Sequence, residues 1–336
     1  MTHNFIKYLP KLTIFCALIL STNVLLFANS NKLIRSADAA NQVECDTTGW
    51  FPTEFGLTDH HIFWYDGYYY LVSIYVPLED NNLLAQTKFA YARSIDLCAW
   101  EDLSPILDSG ANGVWAAIWS PYVLIDDGTY YLYFTGVSNQ LTQQISLATS
   151  TDPSDPNSWQ VQENVVFEPD HPGMVWEDGM FADCRDPTVI KVENVYYLYY
   201  AGRDEAGSII GLATAPTPSG PWFDWGTIVA PEAKATLESP TIAQYGNAYY
   251  LFHNRGFEGE HYQIGPSPGG PWGSPIQISP GWAHEVWQNI AGEWYTSYLT
   301  DYTVTIATLW WDPFFEPAHP TIITNSMFFP VIYNSP

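Results

Sequence analysis

The sequence predicts an all-β chain folded as a five-bladed β-propeller, with four-stranded antiparallel blades around a central channel. Three observations predict it. A short unit recurs five times at a period of roughly fifty residues, the mark of a radial β-repeat. The turn Pro218-Ser219-Gly220-Pro221-Trp222 returns as Pro268-Gly269-Gly270-Pro271-Trp272. Aromatic residues make up 16% of the chain, with Tyr 23, Phe 17 and Trp 15 against Lys+Arg 11, a composition that suits strands.

Each unit reads as a leading polar residue, a β-rich run, a tight turn and an aromatic second strand. Asp59 leads to Gly67 and Tyr69-Tyr70-Leu71, and Ser120 to Gly128 and Tyr130-Tyr131-Leu132. Asp186 leads to Asn194 and Tyr196-Tyr197-Leu198, Glu238 to Gly246 and Tyr249-Tyr250-Leu251, and His284 to Gly292 and Trp294-Tyr295. Gly and Asn tolerate the positive φ of a hairpin turn. The first blade is expected from about Asp59 to Trp100, the second from Trp119 to Trp159, the third from Asp186 to Trp222, the fourth from Glu238 to Trp272 and the fifth from His284 to Trp310. The five terminal tryptophans are expected to pack between blades. Closing the ring needs one more strand, from Asn41–Phe55 or from the tail Thr321–Tyr333, and the residues do not choose between them. The insertion Val161–Ala182 either folds over the channel mouth or is a surface excursion.

The chain has 336 residues, 47% of them hydrophobic, and a formal charge of −25. That charge repels phosphate backbones, so nucleic acid is excluded as a partner, and neutral or cationic ligands are favoured. Lys7 and Lys11 precede the apolar run Leu12–Leu20, and Ala37-Asp38-Ala39 offers a cleavage site. Residues 1–39 therefore read as an export signal and 40–336 as the propeller, placing the protein outside the cell or in a periplasm. An uncleaved anchor is the alternative; no other stretch is long and apolar enough to cross a membrane. Cys45 and Cys98 can pair in that compartment. Cys184 is left over, as a buried thiol or as a nucleophile awaiting a base.

Five first strands around one axis bring Asp59, Ser120, Asp186, Glu238 and His284 to one channel mouth, and three of these are acids. Glycosidic cleavage needs two carboxyl groups, one to protonate the departing oxygen and one to activate water or attack the anomeric carbon. Crowded carboxylates raise one another's pKa, so one can stay protonated near neutral pH. Each acid also has a plainer reading: Asp186 as a strand cap paired with Arg185, Glu238 as a loop residue, Asp59 as a turn-side acid.

These residues resemble the five-bladed propeller glycosidases, above all glycoside hydrolase family 43. The resemblance runs from about Asp59 to Asp312. It rests on Asp59 before Asp66-Gly67-Tyr68-Tyr69-Tyr70, Trp119-Ser120-Pro121, Arg185-Asp186-Pro187 and Glu238-Ser239-Pro240. It implies Asp59 as general base, Asp186 as the residue that tunes the acid and holds sugar, and Glu238 as general acid, in a hydrolysis with inversion on arabinose- or xylose-containing plant saccharides. Family 43 usually has Pro after the first Asp, where this chain has His60-His61. Arg-Asp-Pro is equally typical of families 32 and 68, but their Asn-Asp-Pro in blade one and Glu-Cys in blade four are absent. A retaining fructosidase-type enzyme and a propeller that binds carbohydrate without cleaving it are the alternatives. Trp119, Arg185, Phe181 and, by way of loops, His253 are expected to touch substrate. The resemblance also implies an axial structural ion such as calcium near His284, which otherwise serves as a channel hydrogen-bonder. No cofactor is expected for the chemistry, the carbohydrate substrate is the expected partner, and the protein is expected to be a monomer.

Overall fold

A computed structural model describes residues 48–323 apart from 81, 110–113, 181, 231–235 and 280. Residues 1–39, expected as an export signal, together with Cys45 and Phe181, lie outside the described residues. Among those described, no helix is long and apolar enough to cross a membrane, and the chain there is almost entirely strands and turns.

Five antiparallel sheets follow one another along the chain. Blade one comprises Gly56–Tyr65, Tyr68–Val76, Phe89–Ser94 and Glu101–Ile106. Blade two comprises Ala117–Asp126, Thr129–Val137, Gln143–Ser150 and Gln160–Val161. Blade three comprises Cys184–Val192, Val195–Asp204, Gly207–Ala215 and Phe223–Val229. Blade four comprises Leu237–Tyr245, Ala248–Arg255, Glu260–Gly265 and Ile276–Ser279. Blade five has Trp282–Gln288, Trp294–Thr300 and Thr303–Asp312.

Both chain ends close the ring. Gly49–Trp50 pairs with Val304 and Thr305, while His319–Ile323 pairs with Thr308 to Asp312. The two end strands thus share the outer edge of blade five, where the sequence left the two as alternatives.

The aromatic second strands are buried on both faces, which is why they read as continuous apolar runs rather than alternating ones. In blade one, Tyr70, Val72 and Ile74 join the core shared with blade two, while Tyr69 and Leu71 join the core shared with blade five. Tyrosine hydroxyls then tie blade to blade. Tyr91 donates to the Pro153 carbonyl (2.8 Å), Tyr133 to Pro218 (2.6 Å), Tyr199 to Pro268 (2.7 Å) and Tyr250 to Ala318 (2.7 Å). Pro218 and Pro268 belong to the repeated turn, so that turn recurs because it receives the neighbouring blade's tyrosine.

Each inter-blade core also takes in a tryptophan from the end of a repeat: Trp159, Trp100, Trp222, Trp272 and Trp311. In blade five this corrects the expected Trp310, which is exposed while Trp311 is buried. The insertion after blade two is pinned beside blades two and three. Trp176 Nε1 donates to the Gln143 carbonyl (2.8 Å), and the Asp170 and His171 amides donate to Asp224 Oδ2 (3.0 and 2.9 Å). Cys98 is disulfide-bonded, and Cys184 is a free, fully buried thiol whose pKa burial pushes up.

Candidate active site

The five inner strands share a defect that builds the site. Each ladder breaks between Thr58 and His60, Trp119 and Tyr122, Arg185 and Thr188, Glu238 and Thr241, and Trp282 and Glu285. At each break one residue takes positive φ: Asp59 (26°), Ser120 (47°), Asp186 (56°), Ser239 (50°) and Ala283 (51°). Such bulges re-aim a side chain, and non-glycine residues in this region cluster at functional sites. In three blades a proline follows, at a place where a missing N–H costs no ladder bond.

This ring corrects the register inferred for two blades. The bulge positions of blades four and five are Ser239 and Ala283, not Glu238 and His284. Glu238 stands one residue earlier, level with Arg185, and His284 one later, level with His60. The blade-four turn is Gly246-Asn247, so the step of eight runs from Ser239 to Asn247. The apparent extra residue before Tyr249 disappears.

The three acids nevertheless meet. Ser120 Oγ lies 2.5 Å from Asp59 Oδ2 and 2.7 Å from Asp186 Oδ1, so one hydroxyl joins the two carboxyl groups. The Ser239 amide donates to Asp186 Oδ2 at 2.9 Å. Arg185 Nη2 donates to Glu238 Oε1 at 2.9 Å, and its Nε stands 3.7 Å from Asp186 Oδ2. Arg185 is itself held by buried Asp183, with Nη1 to Oδ1 at 2.6 Å, and Asp183 Oδ2 also accepts from Arg203 Nε at 3.0 Å.

The electrostatics follow from this crowding. Burial, and then the Asp186 charge, push Asp59 up to about 7 against the lowering pull of the Ser120 hydroxyl. Burial also raises Glu238, opposed by Arg185 and assisted by Asp186 and Asp183. Burial works against the Arg185 charge, but Asp186, Asp183 and Glu238 keep it protonated. Two neighbouring carboxyl groups with raised pKa values, one of them near 7, suit the proton transfers that acid–base chemistry needs.

Trp119 and Arg185 line a cavity of about 190 Å³ together with Asp59, Asp186 and Glu238. His253 is fully buried and bonded to Gln263 (2.9 Å), with its pKa lowered to about 4 mainly by burial; it does not line the cavities that hold the acids. His284 is buried, hydrogen-bonds Thr296 Oγ1 (3.1 Å) and stacks on Tyr298 (centroids 4.9 Å apart), with burial lowering its pKa to about 3. The five-position ring therefore carries Ala283 where the sequence reading placed His284. Among the described residues no group of three or more His, Cys, Asp or Glu is arranged to hold a metal ion, so the residues around His284 do not supply a set of that kind for the implied axial ion.

Two residues further along the strands a second polar group gathers. His61 Nδ1 and Thr241 Oγ1 both lie 3.3 Å from Glu285 Oε2, and the His61 and Tyr122 rings are 4.2 Å apart. Asp183 and Glu285 were missed in the sequence. Asp183 lies in Asp-Cys-Arg-Asp, where its spacing of two from Arg185 puts both side chains on one face of the strand.

The comparisons agree with this arrangement. The model of the glycosyl hydrolases family 32 N-terminal domain matches residues 59–214, beginning at Asp59. A bifunctional 6(G)-fructosyltransferase/2,1-fructan:2,1-fructan 1-fructosyltransferase of Allium cepa is 26% identical over 161 residues. That match covers 45% of this chain but only 24% of the relative, so the chain spans about a quarter of that protein. A family-43 β-xylosidase/α-arabinofuranosidase from a compost microbial metagenome, solved with xylotriose, superposes with a TM-score of 0.60 at 18% identity, covering 81% of this chain and 95% of its own. Fructan 1-exohydrolase IIa of Cichorium intybus, solved with 1-kestose, gives 0.68 at 17% identity, covering 83% and 60%. The chain thus has the five-bladed fold of both families, and the family-32 match together with these glycoside hydrolase neighbours supports a glycosidase.

Proposed function

We propose that the protein hydrolyses O-glycosidic bonds of arabinose- or xylose-containing oligosaccharides with inversion. The observation that carries the reading is the linkage of Asp59, Asp186 and Glu238 through Ser120 and Arg185 at one mouth of the channel. Glu238 gives its proton to the departing oxygen as the anomeric C–O bond breaks. Asp59 takes a proton from water, whose oxygen bonds the anomeric carbon from the other face. Asp186, neutralised in part by Arg185, faces the positive charge that develops on the ring. A carboxylate pushed up to about 7 suits proton abstraction from water.

The Glu238→Gln variant tests the acid. Turnover of saccharides with poor leaving groups should fall about 10²–10⁴-fold, and activated aryl glycosides should be cleaved with a much smaller loss. Equal losses on both would remove Glu238 from the acid role. A second reading, a retaining fructosidase with Asp59 as nucleophile, is favoured by the family-32 match and the fructosyltransferase relative. Following the first-formed product anomer by NMR on xylo-, arabino- and fructo-oligosaccharides separates the two: retention with turnover of sucrose or 1-kestose would replace the first reading with the second.

A further inference from the structure

The acids sit where two cavities join. Asp59, Glu238, Ser239 and Thr58 line both the cavity of about 190 Å³ that holds Trp119, Arg185 and Asp186 and a second one of about 400 Å³ on the side of blade five. A bond cut between Asp59 and Glu238 must have its two halves on opposite sides of these shared residues. The smaller cavity carries Arg185 and Asp186 and suits the ring on which charge develops. Trp282, Asp301 and Tyr302 line the larger one.

Trp282 is 45% exposed and Tyr302 61% exposed, and both face the cavity that contains the acids. Many large aromatic rings of this fold pack between blades, and the other exposed ones, Phe223, Trp225, Trp310, Phe314 and Phe315 among them, line neither cavity that holds the acids. Here two are left uncovered beside a carboxylate. The turn that presents Tyr302 is held against an unfavourable backbone: Asp301 and Tyr302 both take positive φ, 47° and 60°, a region in which a non-glycine residue persists only when its surroundings impose it. The surroundings do. The Leu57 amide donates to the Tyr302 carbonyl at 2.7 Å, and Thr303 Oγ1 donates to the Thr300 carbonyl at 2.6 Å. Gly56 makes room, since a Cβ there would come within 3.0 Å of the Tyr302 Cβ.

We propose that Trp282, Asp301 and Tyr302 form a subsite for a second, neutral sugar ring on the leaving-group side of the bond. This rests on the glycosidase reading above and makes the substrate an oligosaccharide of neutral sugars. Apolar C–H faces of the ring lie on the aromatic side chains, and its hydroxyls donate to Asp301. Among the described residues no Lys or Arg lines this cavity, and Asp301 with the shared acids Asp59 and Glu238 disfavours a uronate or a phosphate on that ring.

The test is calorimetric binding of xylotriose, arabinotriose and 1-kestose, and of the corresponding monosaccharides, to the Glu238→Gln protein. At least one trisaccharide should bind about tenfold or more tighter than its monosaccharide. Adding Tyr302→Asn or Trp282→Ala should bring that affinity back toward the monosaccharide value. Asn tolerates positive φ, so Tyr302→Asn removes the ring and keeps the turn. The proposal is overturned if no trisaccharide binds, if trisaccharides bind no tighter than monosaccharides, or if both variants bind the trisaccharide as tightly as their parent. Hydrolysis is scored separately. A wild-type protein that binds through the two rings and releases no reducing sugar leaves the subsite standing and removes the catalytic reading. Release of sugar by a wild type whose ring variants bind undiminished does the reverse.

Discussion

Two sets of carboxylic acids differ in their surroundings: Asp59, Asp186 and Glu238 at the channel mouth, and the more enclosed pair of Glu285, further along its inner strand, and Glu260, on the third strand of blade four. At the mouth, Asp59, Asp186 and Glu238 each have a partner on a neighbouring blade: the Ser120 hydroxyl, the Ser239 amide and the Arg185 guanidinium. In the enclosed pair, Glu285 accepts from His61 and Thr241, and burial still raises its pKa. Glu260 is fully buried with neither carboxyl oxygen hydrogen-bonded by a protein group, and burial followed by the Glu285 charge pushes its pKa well up. The mouth acids border space that a sugar can occupy, while Glu260 is buried and lines none of those cavities. A carboxylic acid is therefore open to substrate in one place and a stability liability in the other.

Removing Asp59, the proposed base, should break the comparison most sharply. The Asp59→Asn variant keeps the shape and the contact with Ser120 but cannot take a proton from water. Turnover should fall about 10²–10⁴-fold on activated and natural substrates alike, since water attack is needed for both. Added azide should restore turnover of an aryl glycoside if Asp59 is a base or nucleophile whose site a small anion can fill. A variant that retains more than about a tenth of wild-type turnover would show that the water is activated elsewhere.

A smaller effect is expected from Asp183, which reaches substrate only through Arg185. Arg185 pulls the Glu238 pKa down, and Asp183 partly offsets that pull. With Asp183→Asn the guanidinium loses one counter-charge, so Glu238 should lose its proton at lower pH and the descending limb of the pH–rate profile should move to lower pH. Asp186 and Glu238 still face Arg185, and Arg203 loses its partner to solvent. The stability cost should therefore fall below the roughly 3–5 kcal/mol of a buried pair broken outright. An unmoved descending limb in a folded variant would reduce Asp183 to a structural brace.

The contrast between mouth and interior also marks how far the sequence could be read. The fivefold repeat, the Tyr-Tyr strands and the blade-to-blade tryptophans are legible because packing on both faces of every blade imposes one local pattern. Asp59, Ser120 and Asp186 are legible because each leads a repeat. The register of blade four slipped by one because Glu238 looked like the acid heading the unit. The better guide was proline: Ser120-Pro121, Asp186-Pro187 and Ser239-Pro240 mark the bulge, which tolerates a residue without an N–H. Blade five has no proline there and a longer turn, Asn289 to Glu293, so nothing local set its alignment. Trp282, Tyr302 and Glu260 were not legible at all, since whether a ring or a carboxyl group is exposed depends on which blade lies opposite. Two chain ends competing for one strand edge likewise cannot be settled by either segment alone.

The smallest expected effect concerns the interior acid. A carboxyl group whose folded pKa is raised binds a proton more tightly in the native state than in the unfolded chain. Between the unfolded value, near 4.3, and the raised native value, the native state holds more protons, so stability falls as pH rises. Replacing Glu260 with Gln keeps a neutral side chain of the same shape and removes that dependence. Near pH 4, where Glu260 is largely protonated in both states, the variant and wild type should melt together. By pH 8 the variant should melt higher, by about 1–2 °C for each kcal/mol recovered in a chain of this size. Equal melting temperatures at both pH values would mean that Glu260 is ionised in the folded protein and compensated by water or an ion. Opposite ordering, with Glu260→Gln less stable at pH 8, would mean that the buried charge is needed there, and the distinction between mouth and interior acids would then rest on access to substrate alone.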